Sequence, residues 1–180
     1  IAIFYIRYTI PKYEASATII IKDEKKGDRD SKLIEEIDAI SNKKIIENET
    51  EVLKSRILMA DAVKKLHLYA PIWMEGELRQ RSAFHFSPIV AELRNPDSIR
   101  RESEQMLLSY DRTTKQVYLK NKKVGSLEEW INTQYGDIKF SINPNYIPPP
   151  EKEKKPLYLN FIPVANLASR LANSIKVTAT

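Results

Sequence analysis

The side chains best suited to chemistry are few in this chain, and their spacing excludes several reactions. The 180 residues include two histidines, His67 and His85, and no cysteine. Without thiols there is no disulfide framework, no thiolate zinc site and no cysteine nucleophile. A serine–histidine–acid triad would have to recruit His67 or His85, and neither sits in a motif that supports one. His85 stands between Phe84 and Phe86 with no acid or nucleophile close in sequence, which favours packing or exposure over catalysis. The four glycines, Gly27, Gly76, Gly125 and Gly136, come no closer together than eleven positions. Both the G-x-x-x-x-G-K phosphate loop and the G-x-G-x-x-G dinucleotide fingerprint need much tighter spacing, so neither exists here.

The acidic residues are equally uninformative. Glu47, Glu49 and Glu51 are not read as a paired acid/base site. Among 24 acidic residues some pair always fits the gap across a glycosidic bond, so a carbohydrate-active enzyme stays open only as a remote reading. Charge says more. Lys and Arg number 29 against those 24 acids, a net +5. Such a surface could hold acidic polysaccharide, phospholipid headgroups or nucleic acid. The bases are interspersed with acids and no aromatic–basic stripe runs through them, which argues against nucleic acid and leaves an acidic-glycan-binding module as an alternative function. No cofactor and no metal centre is indicated.

The elements that must position these residues follow from pattern. At 42% apolar and 29% well-mixed charged residues the chain is too apolar for disorder and long enough for a core. No apolar run reaches the roughly 20 residues that cross a bilayer. Residues 1–10 (IAIFYIRYTI) nevertheless read as the tail of a longer apolar helix, with Phe4, Tyr5 and Tyr8 around Arg7 as at a headgroup layer; a strand or buried helix at a domain edge is the alternative. After Pro11, Tyr13 to Lys22 reads as a β-branched strand, then Lys22 to Asp30 as a charged loop. Asn42 to Leu66 reads as two consecutive helices broken at Ser55, the N-cap of the second, whose Met59, Ala62, Val63 and Leu66 share a face.

Ile89 to Leu93 is a candidate strand, and Gln105–Tyr110 with Gln116–Lys120 a candidate hairpin. Ser126-Leu127-Glu128-Glu129 has the form of a capping box opening a short helix that Gly136 closes, and Asp137 to Ile142 follows as a strand. Pro144 to Pro156, with three consecutive prolines, reads as a stiff surface connector. A strand from Leu157, a helix opened by Pro163 and a terminal strand (SIKVTAT) then suggest a βαβ unit with a right-handed crossover. The fold class expected is α+β: a mixed sheet of about four to five strands with helices packed mainly on one face, truncated at the C-terminal end, where the chain stops inside a strand-like run.

These segments resemble the polysaccharide co-polymerase family, the Wzz-type chain-length determinants, in the branch fused to or paired with bacterial tyrosine kinases. Members leave a first membrane helix through a proline and enter a Tyr-x-Ala-x-Ala-x-Ile strand, as Pro11, Tyr13, Ala15, Ala17 and Ile19 do here. They continue into an acidic helix ending Glu-x-Leu-Lys-Ser-Arg-x-Leu, matched by Glu51, Leu53, Lys54, Ser55, Arg56 and Leu58. Glu75-Gly76, Ser87-Pro88 and the Pro163 helix are less specific likenesses to the version in Bacteroides-type capsule and exopolysaccharide systems. The resemblance implies that residues 1–10 end the first transmembrane helix and residues 11–180 form a periplasmic, membrane-proximal domain of an inner-membrane protein. It further implies a non-enzymatic homo-oligomer that works with a polysaccharide polymerase and export machinery, held in the membrane by flanking helices. Intersubunit contact is then expected through Lys43–Leu66 and Leu127–Tyr135. Any tyrosine kinase activity would reside outside this segment, which has no nucleotide loop.

Overall fold

The computed structural model describes residues 14–19, 46–76, 79–149 and 155–178. The chain divides into two units, one of Ile1–Leu53 with Val177–Thr180 and one of Lys54–Lys176. In the first, residues 46–53 are helical, while residues 14–19 lie in no ladder. The expected strand from Tyr13 is therefore not formed over Ala15, Ala17 and Ile19, which are exposed. β-branched residues favour extended backbone, but a strand exists only where a neighbour takes its amides and carbonyls. Pro11, Tyr13, the loop of residues 22–30 and the opening decapeptide lie outside the described residues.

The second unit begins as its sequence dictates. Ser55 is the N-cap of helix α1 (Arg56–Lys65), its hydroxyl oxygen accepting the Leu58 amide at 3.2 Å. Met59 and Val63 turn inward as the spacing predicts, but Leu66 lies beyond the last turn and is exposed. The helix ends in a Schellman arrangement: the Leu68 amide reaches the Val63 carbonyl and the His67 amide the Lys64 carbonyl. His67, rather than a glycine, takes the left-handed residue at φ 50°.

Nine strands follow among the described residues: β1 (Ile72–Met74), β2 (Arg81–Ser82), β3 (Ile89–Leu93), β4 (Met106–Asp111), β5 (Gln116–Leu119), β6 (Lys122–Ser126), β7 (Trp130–Thr133), β8 (Gly136–Ile142) and β9 (Leu157–Leu159). They form two sheets, ordered β2-β1-β9-β4-β5-β6 and β3-β8-β7. Helix α2 (Val164–Ser174) closes the unit and packs against α1.

The molecule is α+β, but it is not one sheet of four or five strands roofed by helices. Both sheets feed one core. Ile72, Met106, Leu108, Val117 and Leu159 come from the larger; Ile89, Ala91, Leu93, Ile138 and Phe140 from the smaller. Apart from Ala91, each such side chain withdrawn from water stabilises by about 1.5–3 kcal/mol before entropy is charged. The helices pack chiefly on each other, α2 burying Val164 and Ala168.

Register explains the alternation. In β3 and β8 the buried residues face one another, Ala91 opposite Phe140 and Leu93 opposite Ile138, a small residue making room for a large ring. The strand β9 lies between β1 and β4, with Leu159 beside Ile72 on one side and Met106 on the other. Because β9 is antiparallel to both neighbours, there is no βαβ crossover, and residues 175–178 after α2 are not in a strand.

The predicted helix over Leu127–Tyr135 is also absent. Here the chain passes from the edge of one sheet to the edge of the other. The Leu127 amide donates to the Lys115 carbonyl, and Glu128, at φ 63°, donates its amide to the Phe140 carbonyl. A left-handed Glu128 breaks the helical path and the residues after it pair with a strand, so the capping box has no helix to cap. Trp130 to Thr133 pairs with β8 instead, and Gly136, at φ 105°, closes a hairpin rather than a helix. The expected contact helix at Leu127–Tyr135 is thus a corner and an edge strand.

Candidate functional site

Two buried asparagines hold together the surfaces most able to bind something. Asn143, 3% exposed, donates from its carboxamide nitrogen to the carbonyls of Phe84 (2.7 Å) and Ser87 (2.8 Å), while its carboxamide oxygen accepts the Asn145 amide at 2.9 Å. The Ile147 amide adds a bond to the His85 carbonyl, and His85 Nδ1 donates to the Asn145 carbonyl at 3.2 Å. The turn 84–87 and the loop 143–147 are thereby fastened to one another. Asn160 does the same beneath β9, accepting the Trp73 indole N–H at 2.8 Å and donating to Glu102 at 2.9 Å. Every polar function of such a buried amide that finds a partner avoids a desolvation penalty of about 1–3 kcal/mol.

The first of these fastened regions borders a groove of about 460 Å³. Met74 of β1 and Leu157 of β9 contribute its apolar floor; Phe86 and Pro88 line it, as do Tyr146, Pro148 and Pro149. Two cations reach it, Arg112 from the β4–β5 turn and Lys155 just before β9. The turn carrying Arg112 is fixed, because the Asp111 carboxylate accepts the Thr113 amide (2.8 Å) and the Thr114 hydroxyl (2.7 Å). The Arg112 guanidinium lies 4.9 Å from the centre of the Tyr146 ring. Among the described residues no carboxylate lines this groove. Its chemistry suits an anionic ligand with flat apolar faces. A second groove, of about 430 Å³, is bordered by Arg100, Arg101, Tyr135 and Phe161.

Perturbed titrations lie elsewhere. Burial pushes the Tyr69 phenol up, against the opposing pull of the Leu93 amide. The Thr114 hydroxyl and the amides of Thr113 and Thr114 hold Asp111 below the usual carboxylate range. Lys120, bonded to Glu104 at 3.1 Å, is raised. These groups sit in the core, at the β4–β5 turn and at the β5–β6 turn, and do not converge. Among the described residues no three His, Cys, Asp or Glu side chains gather as a metal site, and no helix is long and apolar enough to cross a membrane.

Among the described residues, none of those in the Tyr-x-Ala-x-Ala-x-Ile and Glu51–Leu58 motifs lines the groove. Glu51 and Leu53 end the helical segment 46–53, Lys54 is in a turn, and Ser55, Arg56 and Leu58 open α1. Sequence reasoning did not mark Arg112, Tyr146 or Lys155, since they come together only through the pairing of β9 with β1 and β4. The proline run was the one available signal, and it read as a connector. Comparison with family models, with curated proteins and with solved structures finds no match.

Proposed function

We propose that this chain is an extracytoplasmic, membrane-proximal part of a bacterial inner-membrane polysaccharide co-polymerase. It acts without covalent chemistry, as a homo-oligomeric scaffold that sets polymer length and assists export of capsular polysaccharide, exopolysaccharide or O-antigen. The resemblance in Pro11–Ile19 and Glu51–Leu58 motivates the reading. One structural observation supports it: the Glu51–Leu58 motif ends one helical segment and opens α1 at the Ser55 cap, as a motif of that form implies. Self-association into a ring then requires a heterologous interface whose rotation closes.

The acidic-glycan reading is favoured by the groove between Phe86, Arg112, Tyr146 and Lys155, and it is compatible with the scaffold. The test is deletion of the encoding gene in its native host, with surface polymer sized by gel electrophoresis. A broadened or shifted length distribution, or loss of surface polymer, is expected. Unchanged length and export would refute the proposal.

A further inference from the structure

We infer that the groove under the Asn143-fastened loops is a binding site for a carboxylate-bearing oligosaccharide, read by Arg112 and Lys155 and by the ring of Tyr146. Four observations converge. The walls are flat and apolar, Phe86 and Pro88 together with Tyr146, Pro148 and Pro149, and such surfaces pack against the C–H faces of pyranose rings. Two cations, Arg112 and Lys155, stand at the groove. The Arg112 guanidinium is parked 4.9 Å from the Tyr146 ring centre, which places a planar donor fork beside an aromatic platform. The Asn143 bonds to Phe84 and Ser87 hold turn and loop together, so little ordering is charged to binding.

A neutral glycan would leave both cations unused, and a compact inorganic anion would leave the apolar walls uncovered. The choice of a sugar over another flat anion rests on the proposed role in polysaccharide assembly. The chain's net +5 is diffuse, but the groove concentrates two positive charges over an apolar bed.

The test is calorimetric titration of the full chain with trigalacturonate, maltotriose and hexaglutamate, at low and raised salt. Trigalacturonate is expected to bind at least about tenfold more tightly than either of the others, and more weakly as salt rises. Arg112→Ala and Lys155→Ala should each weaken it about fivefold or more with the urea midpoint unchanged, since both side chains belong to surface segments. Tyr146→Ala should weaken it as well. A readout independent of the variants is amide shift mapping on the unaltered chain, where trigalacturonate should move Phe86, Arg112 and Tyr146.

Absence of binding at low salt, equal binding of hexaglutamate, undiminished binding by the double Arg112→Ala/Lys155→Ala variant, or shifts gathered at Arg100 and Arg101 would each overturn the assignment. If gene deletion changes polymer length while trigalacturonate fails to bind, the groove alone is wrong. If trigalacturonate binds as expected while deletion changes nothing, the scaffold role alone is wrong.

Discussion

Removing one oxygen from the core tests how α1 is joined to the smaller sheet. Tyr69 is 1% exposed, and its hydroxyl oxygen accepts the Leu93 amide at 3.2 Å while lying 3.0 Å from His67 Nδ1. Strand β3 is a sheet edge, and side chains take its outward amides: Ser87 serves Ile89, and Tyr69 serves Leu93. Tyr69→Phe keeps the ring and strands the amide of Leu93, itself 3% exposed. An orphaned buried N–H costs about 1–3 kcal/mol, whereas half-buried His67 can turn to water. The expected loss is therefore about 2 kcal/mol, a fall in Tm of about 5–10 °C for a domain of this size. Urea unfolding followed through Trp73 and Trp130 measures it, with the slope unchanged. A loss below about 0.5 kcal/mol would show that Tyr69 holds the edge by packing alone, and the hydrogen-bond argument would fail.

The same residue has a pH signature. Burial raises the Tyr69 pKa in the folded state above its ordinary 10.0. The native chain thus keeps this proton more tightly than the unfolded one, so the contribution is complete below 10.0 and is lost as pH rises through the folded value. Wild type should lose stability on alkalinisation faster than Tyr69→Phe.

Three further substitutions probe the other joints. Ser55→Ala removes the cap on the Leu58 amide and should cost about 1 kcal/mol in urea unfolding, with Ser55→Asp largely restoring it. Glu128→Gly should stabilise by about 0.5 kcal/mol, because relief of a left-handed residue at about 1–2 kcal/mol exceeds the extra entropy glycine loses. A helix at this position would give the opposite sign, a loss of about 1 kcal/mol. Gly125→Ala would place Cβ 2.5 Å from Ile131 Cδ1 and 2.6 Å from Cγ1, an overpacking cost of about 1–3 kcal/mol. Ile131→Val removes the nearer atom, so the double variant should recover part of that loss; strict additivity of the two denaturation midpoints would contradict this contact.

Legibility along this chain tracked how local the deciding interaction is. The break at Ser55, the inward turn of Met59 and Val63 and the helix after Pro163 were readable because cap and periodicity lie within a few residues. The β4–β5 hairpin and β8 were readable too, their alternation matching one buried face. β6 was not, since Lys122-Lys123-Val124-Gly125-Ser126 has little strand propensity and is extended only because β5 offers its edge. The capping box at Ser126 misled for the converse reason. Its local pattern is a sound helix start, but the residues that would extend the helix pair with β8 instead.

By itself, then, the amino-acid order determined an α+β chain with a capped helical joint at Ser55, no nucleotide loop, no thiol chemistry and a diffuse positive charge. Tertiary structure alone decided that the strands divide between two sheets sharing a core, and that β9, arriving after the proline connector, wedges between β1 and β4. It alone drew Arg112, Tyr146 and Lys155 to one groove. The physical reason is range: caps, turns and periodicity act over a few residues, whereas strand partners and groove walls are chosen by burial between segments far apart in the chain, which no local pattern encodes.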